Sequence, residues 1–168
     1  AVLTQGPLSL ELDGVSFRYG DTAVLEDVSF DARPGEVVAL VGSTGSGKST
    51  LANLLVRLDT PGGGTIRVGG VPIDDVHPDE LRAAVSLAFQ EGFLFASPIA
   101  ENVTMGRAVD DEILADALDR ARAARFVGRL PHGEQTVVGE RGVTLSGGQR
   151  QRVALARALA GRPRVLVL

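Results

Sequence analysis

The chain of 168 residues has no cysteine and no tryptophan, one tyrosine, one methionine and one lysine. Without cysteine there is no disulfide framework and no thiolate metal site, which suits a reducing compartment. No apolar run approaches the roughly 18 residues a membrane-spanning helix requires, and nothing at Ala1 to Leu10 reads as a signal peptide. Basic excess is missing too: the formal net charge is −4 and the pI near 5.2, so a nucleic-acid backbone is not the expected partner. Length and a hydrophobic content of 44% suit one domain with an ample core.

The single lysine stands in an informative place. Lys48 lies in GSTGSGKST, Gly42 to Thr50, which fits G-x-x-x-x-G-K-[ST] on Gly42, Gly47, Lys48 and Ser49. In such a loop the backbone N–H groups of Gly42, Ser43, Thr44, Gly45, Ser46 and Gly47 converge on phosphate oxygens, and glycine is needed because side chains would block that approach. The following helix presents its partial positive end to the same anion. Lys48 is expected to reach the β/γ-phosphates, Ser49 to ligate Mg²⁺, and Thr50 to complete the loop. Ahead of the loop, Val37-Val38-Ala39-Leu40-Val41 reads as a strand buried on both faces; behind it, Leu51, Leu54, Leu55 and Leu58 recur at helical spacing.

Elsewhere the patterning divides the chain. Leu8, Leu10 and Leu12, then Val15, Phe17 and Tyr19, then Val28, Phe30 and Ala32 alternate with polar residues, as the strands of an antiparallel sheet do. Pro34-Gly35 marks a turn, Pro61 to Gly64 breaks the first helix, and Gly69-Gly70 suits a tight hairpin between Ile66/Val68 and Val71/Ile73. Pro78-Asp79-Glu80 opens a short helix, and Val85, Leu87 and Phe89 form a strand that delivers Gln90 at its end. Helical signals then dominate: Ser97-Pro98 as a start, and the stripe Leu114, Ala117, Leu118 and Ala121. The expected fold class is α/β, with an antiparallel β-subdomain over 1–35, a phosphate-loop core over 36–90, a mainly helical insertion over 91–160 and a further strand starting within 161–168.

A second glycine-rich stretch, LSGGQ, spans Leu145 to Gln149. Ser146 and Gln149 have capping-box spacing before the stripe Val153, Ala156 and Leu159, so a plain helix cap explains them. The same N-terminus, with a free hydroxyl, Gly147 and Gly148, is also an anion site in its own right. Both readings are open on residues alone.

GSTGSGKST, Gln90, LSGGQRQRVALARAL at Leu145 to Leu159 and RVLVL at Arg164 to Leu168 together resemble the nucleotide-binding domain of an ATP-binding cassette (ABC) transporter, over nearly the whole chain and in the same order. FLFASPIAENV at Phe93 to Val103 and TVVGERG at Thr136 to Gly142 resemble the exporter branch. The resemblance implies ATP and Mg²⁺ as cofactors, Tyr19 stacked on adenine, Gln90 at Mg²⁺ and the attacking water, and Ser146, Gly147, Gly148 and Gln149 against ATP held by a second cassette. It implies two partners: that second nucleotide-binding domain, and the membrane domains of an exporter in the same parent chain, reached through the segment after Gln90 and the loop at Glu140. The cassette is then expected at the cytoplasmic face of the membrane. In the family RVLVL runs into an aspartate and a glutamate that serve as metal ligand and general base. The resemblance therefore implies a fragment ending before them, able to bind ATP and inactive alone. His77 and His132 match no catalytic position and read as loop histidines. A GTPase is disfavoured because its N-K-x-D motif needs a second lysine, and chromosome-maintenance ATPases because sustained heptads are missing. An import-type cassette and a binding module without hydrolysis remain as alternatives.

Overall fold

The computed structural model describes residues 1–88, 93–139 and 144–168. Phe89, Gln90 and Glu140, expected at a strand end and in a membrane-facing loop, lie outside the described residues. The chain divides into two compact units, Ala1–Val85 and Ser86–Leu168.

The first unit is built on a four-stranded antiparallel sheet in the order β2-β1-β3-β4, from β1 (Leu10–Tyr19), β2 (Thr22–Ala32), β3 (Gly63–Val68) and β4 (Val71–Pro72). The apolar positions of β1 change parity, from Leu10 and Leu12 to Val15 and Phe17, yet all four are buried. An irregularity between Leu12 and Val15 explains it: one extra residue at Asp13-Gly14 returns the odd-numbered side chains to the inner face. What the pattern presents as two strands is thus one bulged strand.

Gly64 faces that bulge with φ +79, and a Cβ there would lie 2.3 Å from the Gly14 carbonyl oxygen and 2.5 Å from that of Asp13. Both obstacles are backbone and cannot swing aside. Gly64→Ala is expected to destabilise this sheet by about 2–5 kcal/mol, from left-handed backbone strain plus overpacking. An unchanged urea midpoint for the variant would show that the bulge tolerates a side chain.

Between β2 and β3 the chain turns at Arg33-Pro34-Gly35-Glu36, where the Glu36 N–H donates to the Arg33 carbonyl at 2.9 Å, and enters helix α1 (Lys48–Leu55). Leu51, Leu54 and Leu55 bury the inner face of α1; Leu58 lies beyond its end and is exposed. The expected buried strand at Val37–Val41 is not formed: the segment takes no strand conformation, and Val37 and Val41 are 93% and 90% exposed. An apolar run becomes a core strand only when neighbours satisfy its backbone groups, and among the described residues none pairs with this one. Helix α2 (Pro78–Ala84) begins at His77, whose Nδ1 accepts the Asp79 N–H at 3.4 Å, so this histidine is a helix cap.

The second unit is mainly helical: α3 (Ile99–Thr104), α4 (Asp111–Arg120), α5 (Ala124–Val127) and α6 (Gly147–Ala160), with β5 (Val85–Leu87) and β6 (Val165–Val167) forming a two-stranded sheet. Its core joins Ile99 and Val103 of α3, the Leu114, Ala117 and Leu118 stripe of α4, and Val153, Ala156 and Ala160 of α6. Val138 closes the cluster and is held by its N–H donating to the Ser97 carbonyl at 3.1 Å. His132 is exposed in a loop, as expected.

Candidate nucleotide site

The loop Gly42–Gly47 ends where α1 begins. Gly47 is the N-cap of α1, with φ 88, and supplies no side-chain acceptor to the first turn. It is also buried, since a Cβ there would lie 2.7 Å from Leu25 Cδ2 and 3.0 Å from the Val24 carbonyl oxygen. Glycine is therefore required twice over, by conformation and by the approach of β2. The helix proper starts with the Leu51 N–H donating to the Gly47 carbonyl at 2.8 Å, leaving the N–H groups of Lys48, Ser49 and Thr50 at an uncapped end.

Lys48 folds back over this loop. Its Nζ donates to the carbonyls of Gly42 at 2.7 Å and Ser43 at 2.8 Å and to Ser46 Oγ at 3.2 Å, while the Ser46 N–H donates to the Ser43 carbonyl at 3.2 Å. These bonds hold the ammonium inside the curve of the loop. A Cβ on Gly42 would meet Ser46 Oγ at 2.5 Å and come within 3.9 Å of Nζ, filling the concavity. Ser43, Thr44, Gly45, Ser46 and Ser49 are exposed, Lys48 is half-buried, and Thr50 is buried against the unit's core.

Tyr19 sits at the adjoining end of the β1–β2 hairpin. It pairs with Thr22, and Val24 and Leu25, further along β2, are the residues that press on Gly47. Its ring meets Phe17 edge-on, with centroids 4.8 Å apart and planes at 84°, yet the residue remains 52% exposed. Packing with Phe17 and an open ring face thus coexist. The hydroxyl makes only a long 3.5 Å contact to Asp59 Oδ2.

The second glycine-rich stretch lies in the other unit. Ser146 caps α6 through a reciprocal box: its Oγ accepts the Gln149 N–H at 3.3 Å, and Gln149 Oε1 accepts the Ser146 N–H at 2.8 Å. The capping role is real, and it uses the hydroxyl as an acceptor, leaving its proton free to donate. Ser146, Gly147 and Gly148 are exposed and Gln149 is half-buried. Neither glycine has a positive φ; a Cβ at Gly148 would meet nothing within 4 Å, and one at Gly147 only Arg150 Nη2 at 4.0 Å.

Among the described residues, first-turn charge sets these two helix starts apart from α2, α3 and α4. Helices α2, α3 and α4 carry acids in the first turn, Asp79 and Glu80, Glu101, and Asp111 and Glu112, which complement their own dipoles. Helices α1 and α6 carry none. Of the helices longer than a single turn, the two that lack an anion of their own are the two that begin at the glycine-rich motifs. Phosphate, held by backbone N–H groups and an ammonium, is the chemistry this leaves room for. Among the described residues no group of three or more His, Cys, Asp or Glu could hold a metal ion. Mg²⁺ would fit here as a cation sharing phosphate oxygens with a hard donor, and the exposed Ser49 hydroxyl is one.

A glycine-rich loop, a lysine folded over it and an uncapped helix define a phosphate-loop nucleotide-binding domain. A family model described as ABC transporter matches residues 25–168. The mycobactin import ATP-binding/permease protein of Mycolicibacterium thermoresistibile is 45% identical over 162 residues, which is 95% of this chain and 28% of that protein. The multidrug efflux ATP-binding/permease protein of Mycobacterium tuberculosis is 47% identical over 163 residues, 96% of this chain and 14% of that protein. A solved bacterial Atm1-family ABC exporter with ATP bound matches with a TM-score of 0.89 and 41% identity, over 98% of this chain and 30% of the other. This chain belongs to the ABC transporter family, whose ATPase domains bind ATP, and it spans less than a third of the length of these relatives. No helix among the described residues is long and apolar enough to cross a membrane.

Sequence reasoning passed over Asn102 and Arg157. Asn102 is wholly buried in α3, and its side chain holds Phe95, Ser97 and Arg157 together. The available signal was an asparagine inside the apolar stripe of Ile99 and Val103, where an unpartnered amide would be costly.

Proposed function

We propose that this chain binds Mg-ATP as the cassette of an exporter-type transporter and that its parent couples ATP hydrolysis to movement of a cargo through membrane domains. The observation that carries the reading is the pair of exposed helix N-termini at GSTGSGKST and LSGGQ, the first uncapped and the second capped by its own Ser146, neither neutralised by an acid in its first turn. The relatives named as ATP-binding/permease proteins, and the likeness to an exporter with ATP bound, support membrane domains as partners. One of those relatives is named for import, which favours a second reading in which the same cassette serves uptake. Direction and cargo then belong to the membrane domains. The division into a β-subdomain (1–35), phosphate-loop core (36–90), helical part (91–160) and the start of a further strand (161–168) belongs to the same proposal, as does a location at the cytoplasmic face of the membrane.

In this reading the nucleotide, when bound, supplies the phosphoanhydride and brings Mg²⁺ with it. The N–H groups of Gly42 to Thr50 cradle its phosphates. Lys48 exchanges its carbonyl partners for β- and γ-phosphate oxygens, where a charge-assisted bond is stronger. Ser49 would offer its hydroxyl to Mg²⁺ and Gln90 its side chain to the metal and the water, and Tyr19 would stack on the base, contributing about 0.5–1.5 kcal/mol. Ser146, Gly147, Gly148 and Gln149 present a second phosphate-facing surface to ATP held by another cassette, so a complete site takes residues from two copies. Phosphoryl transfer is mainly positioning and charge stabilisation, and these groups supply both.

Hydrolysis also needs a carboxylate base, and in this reading none of the 21 Asp and Glu among residues 1–168 takes that role. Residues 1–168 alone are therefore expected to bind ATP without turning it over, since removal of a general base slows a reaction by about 10²–10⁴. Calorimetry with and without Mg²⁺, beside a phosphate-release assay, tests this reading. Binding that ignores Mg²⁺ in the parent and in Ser49→Ala alike would remove Ser49 from the metal site, and steady phosphate release would show that the base lies within these residues.

A further inference from the structure

We propose that Asn102 and Arg157 form a positioning junction that ties the exposed segment Phe93–Pro98 to the signature helix α6, so that displacement of one is carried to the other. The inference rests on the cassette reading above and adds to it how a change at LSGGQ reaches a surface on the same unit.

Asn102 is the wholly buried polar side chain at the centre. Its Oδ1 accepts the Phe95 N–H at 2.8 Å, and its Nδ2 lies within hydrogen-bond reach of the Phe95 carbonyl at 3.0 Å, Ser97 Oγ at 3.1 Å and the Ser97 and Pro98 carbonyls at 3.2 Å each. A single amide thus ties down three residues of an irregular segment, Phe95, Ser97 and Pro98. Arg157, three turns along α6 from the signature, closes the other side: Nε donates to the Asn102 carbonyl at 2.7 Å and Nη2 to Asn102 Oδ1 at 3.2 Å. Its guanidinium also lies 5.9 Å from the centroid of the Phe95 ring. Arg107 braces the joint by donating to the Val103 and Thr104 carbonyls of α3 and, through Nη2, to the Arg157 carbonyl at 3.0 Å.

The arrangement is expensive for mere packing. Burial, and secondarily the charge of Arg107, lower the pKa of Arg157, and no carboxylate pairs with it among the described ion pairs. A half-buried guanidinium gives up part of its hydration for an amide and carbonyls, which apolar packing alone would not require. What it provides instead is direction, because the planar fork fixes α6 and Asn102 at one mutual angle. The segment also presents Phe93 and Phe95, edge to face with centroids 5.1 Å apart and both exposed. A hydrogen-bonded link therefore runs from α6 through Arg157 and Asn102 to an exposed aromatic pair.

Amide exchange in the whole transporter, cassettes and membrane domains together, with and without Mg-ATP and vanadate, tests the junction. In the parent, segments 93–98 and 144–150 are both expected to gain protection on trapping. Arg157→Met, which keeps the stem and removes the fork, should retain the gain at 144–150 and lose it several-fold at 93–98, with KM for ATP unchanged; Arg157→Lys should restore part. A full response at 93–98 in Arg157→Met overturns the proposal, as does loss of both responses together with a lowered melting temperature, the result a merely structural role gives. If Arg157→Met does not fold, Asn102→Asp keeps the acceptor for Arg157, removes the donors to Phe95 and Ser97, and carries the same readout. Absence of any gain at 144–150 in the parent, with ATP bound, defeats the two-cassette reading and this inference with it.

Discussion

Lys48→Ala is expected to weaken ATP binding about 10- to 150-fold while leaving the fold intact. The magnitude follows from the ammonium's environment. Its three present partners, the Gly42 and Ser43 carbonyls and Ser46 Oγ, are exposed, so water replaces them when the side chain is truncated. Bound phosphate has no such substitute inside the loop, and a hydrogen bond to a charged group contributes about 1.5–3 kcal/mol, which sets that range. Thermal melting should change by less than about 1 kcal/mol, as for other substitutions away from the core. Titration with a fluorescent nucleotide in Mg²⁺ reads the first effect and circular dichroism the second. Equal affinity in parent and variant would detach Lys48 from the phosphates and with it the loop assignment.

How much of this was legible beforehand depends on which kind of signal each element used. The phosphate loop was legible because its backbone path admits few residue types: Gly47, at positive φ and pressed by β2, has no room for a side chain. The capping box at Ser146 and the stripe on α4 are local, and local rules found them. Val37–Val41 failed for the opposite reason. An apolar run reports that burial is favourable, while strand formation depends on partners elsewhere in space. The bulge at Asp13-Gly14 misled in a milder way, since period-two alternation restarts after one inserted residue and mimics a new strand. Asn102 was illegible because its partners, Phe95 and Arg157, lie 7 and 55 residues away and only the fold brings them to one amide.

Gly148→Val is expected to abolish ATP-driven pairing of two cassettes with little effect on the stability of the chain that carries it. A glycine demanded by its own fold shows a positive φ or a backbone atom in the way, as Gly64 does. Gly148 shows neither: its φ is ordinary and a Cβ would meet nothing within 4 Å. In the first turn of α6 a valine should change stability by no more than about 1 kcal/mol, and replacing glycine with a residue of higher helix propensity partly offsets the loss of β-branched rotamers. The approach of a phosphate bound to another copy is what the exposed Ser146, Gly147 and the remaining N–H groups at the start of α6 suit. Two methyl groups placed there hold that phosphate away from the N–H groups by more than a hydrogen-bond length. Sedimentation of a hydrolysis-disabled parent in saturating Mg-ATP should give dimer, and Gly148→Val or Ser146→Arg should give monomer at the same concentration, with ATP affinity at Lys48 retained. Dimer formation by both variants would return LSGGQ to the plain helix cap that its hydrogen bonds already describe.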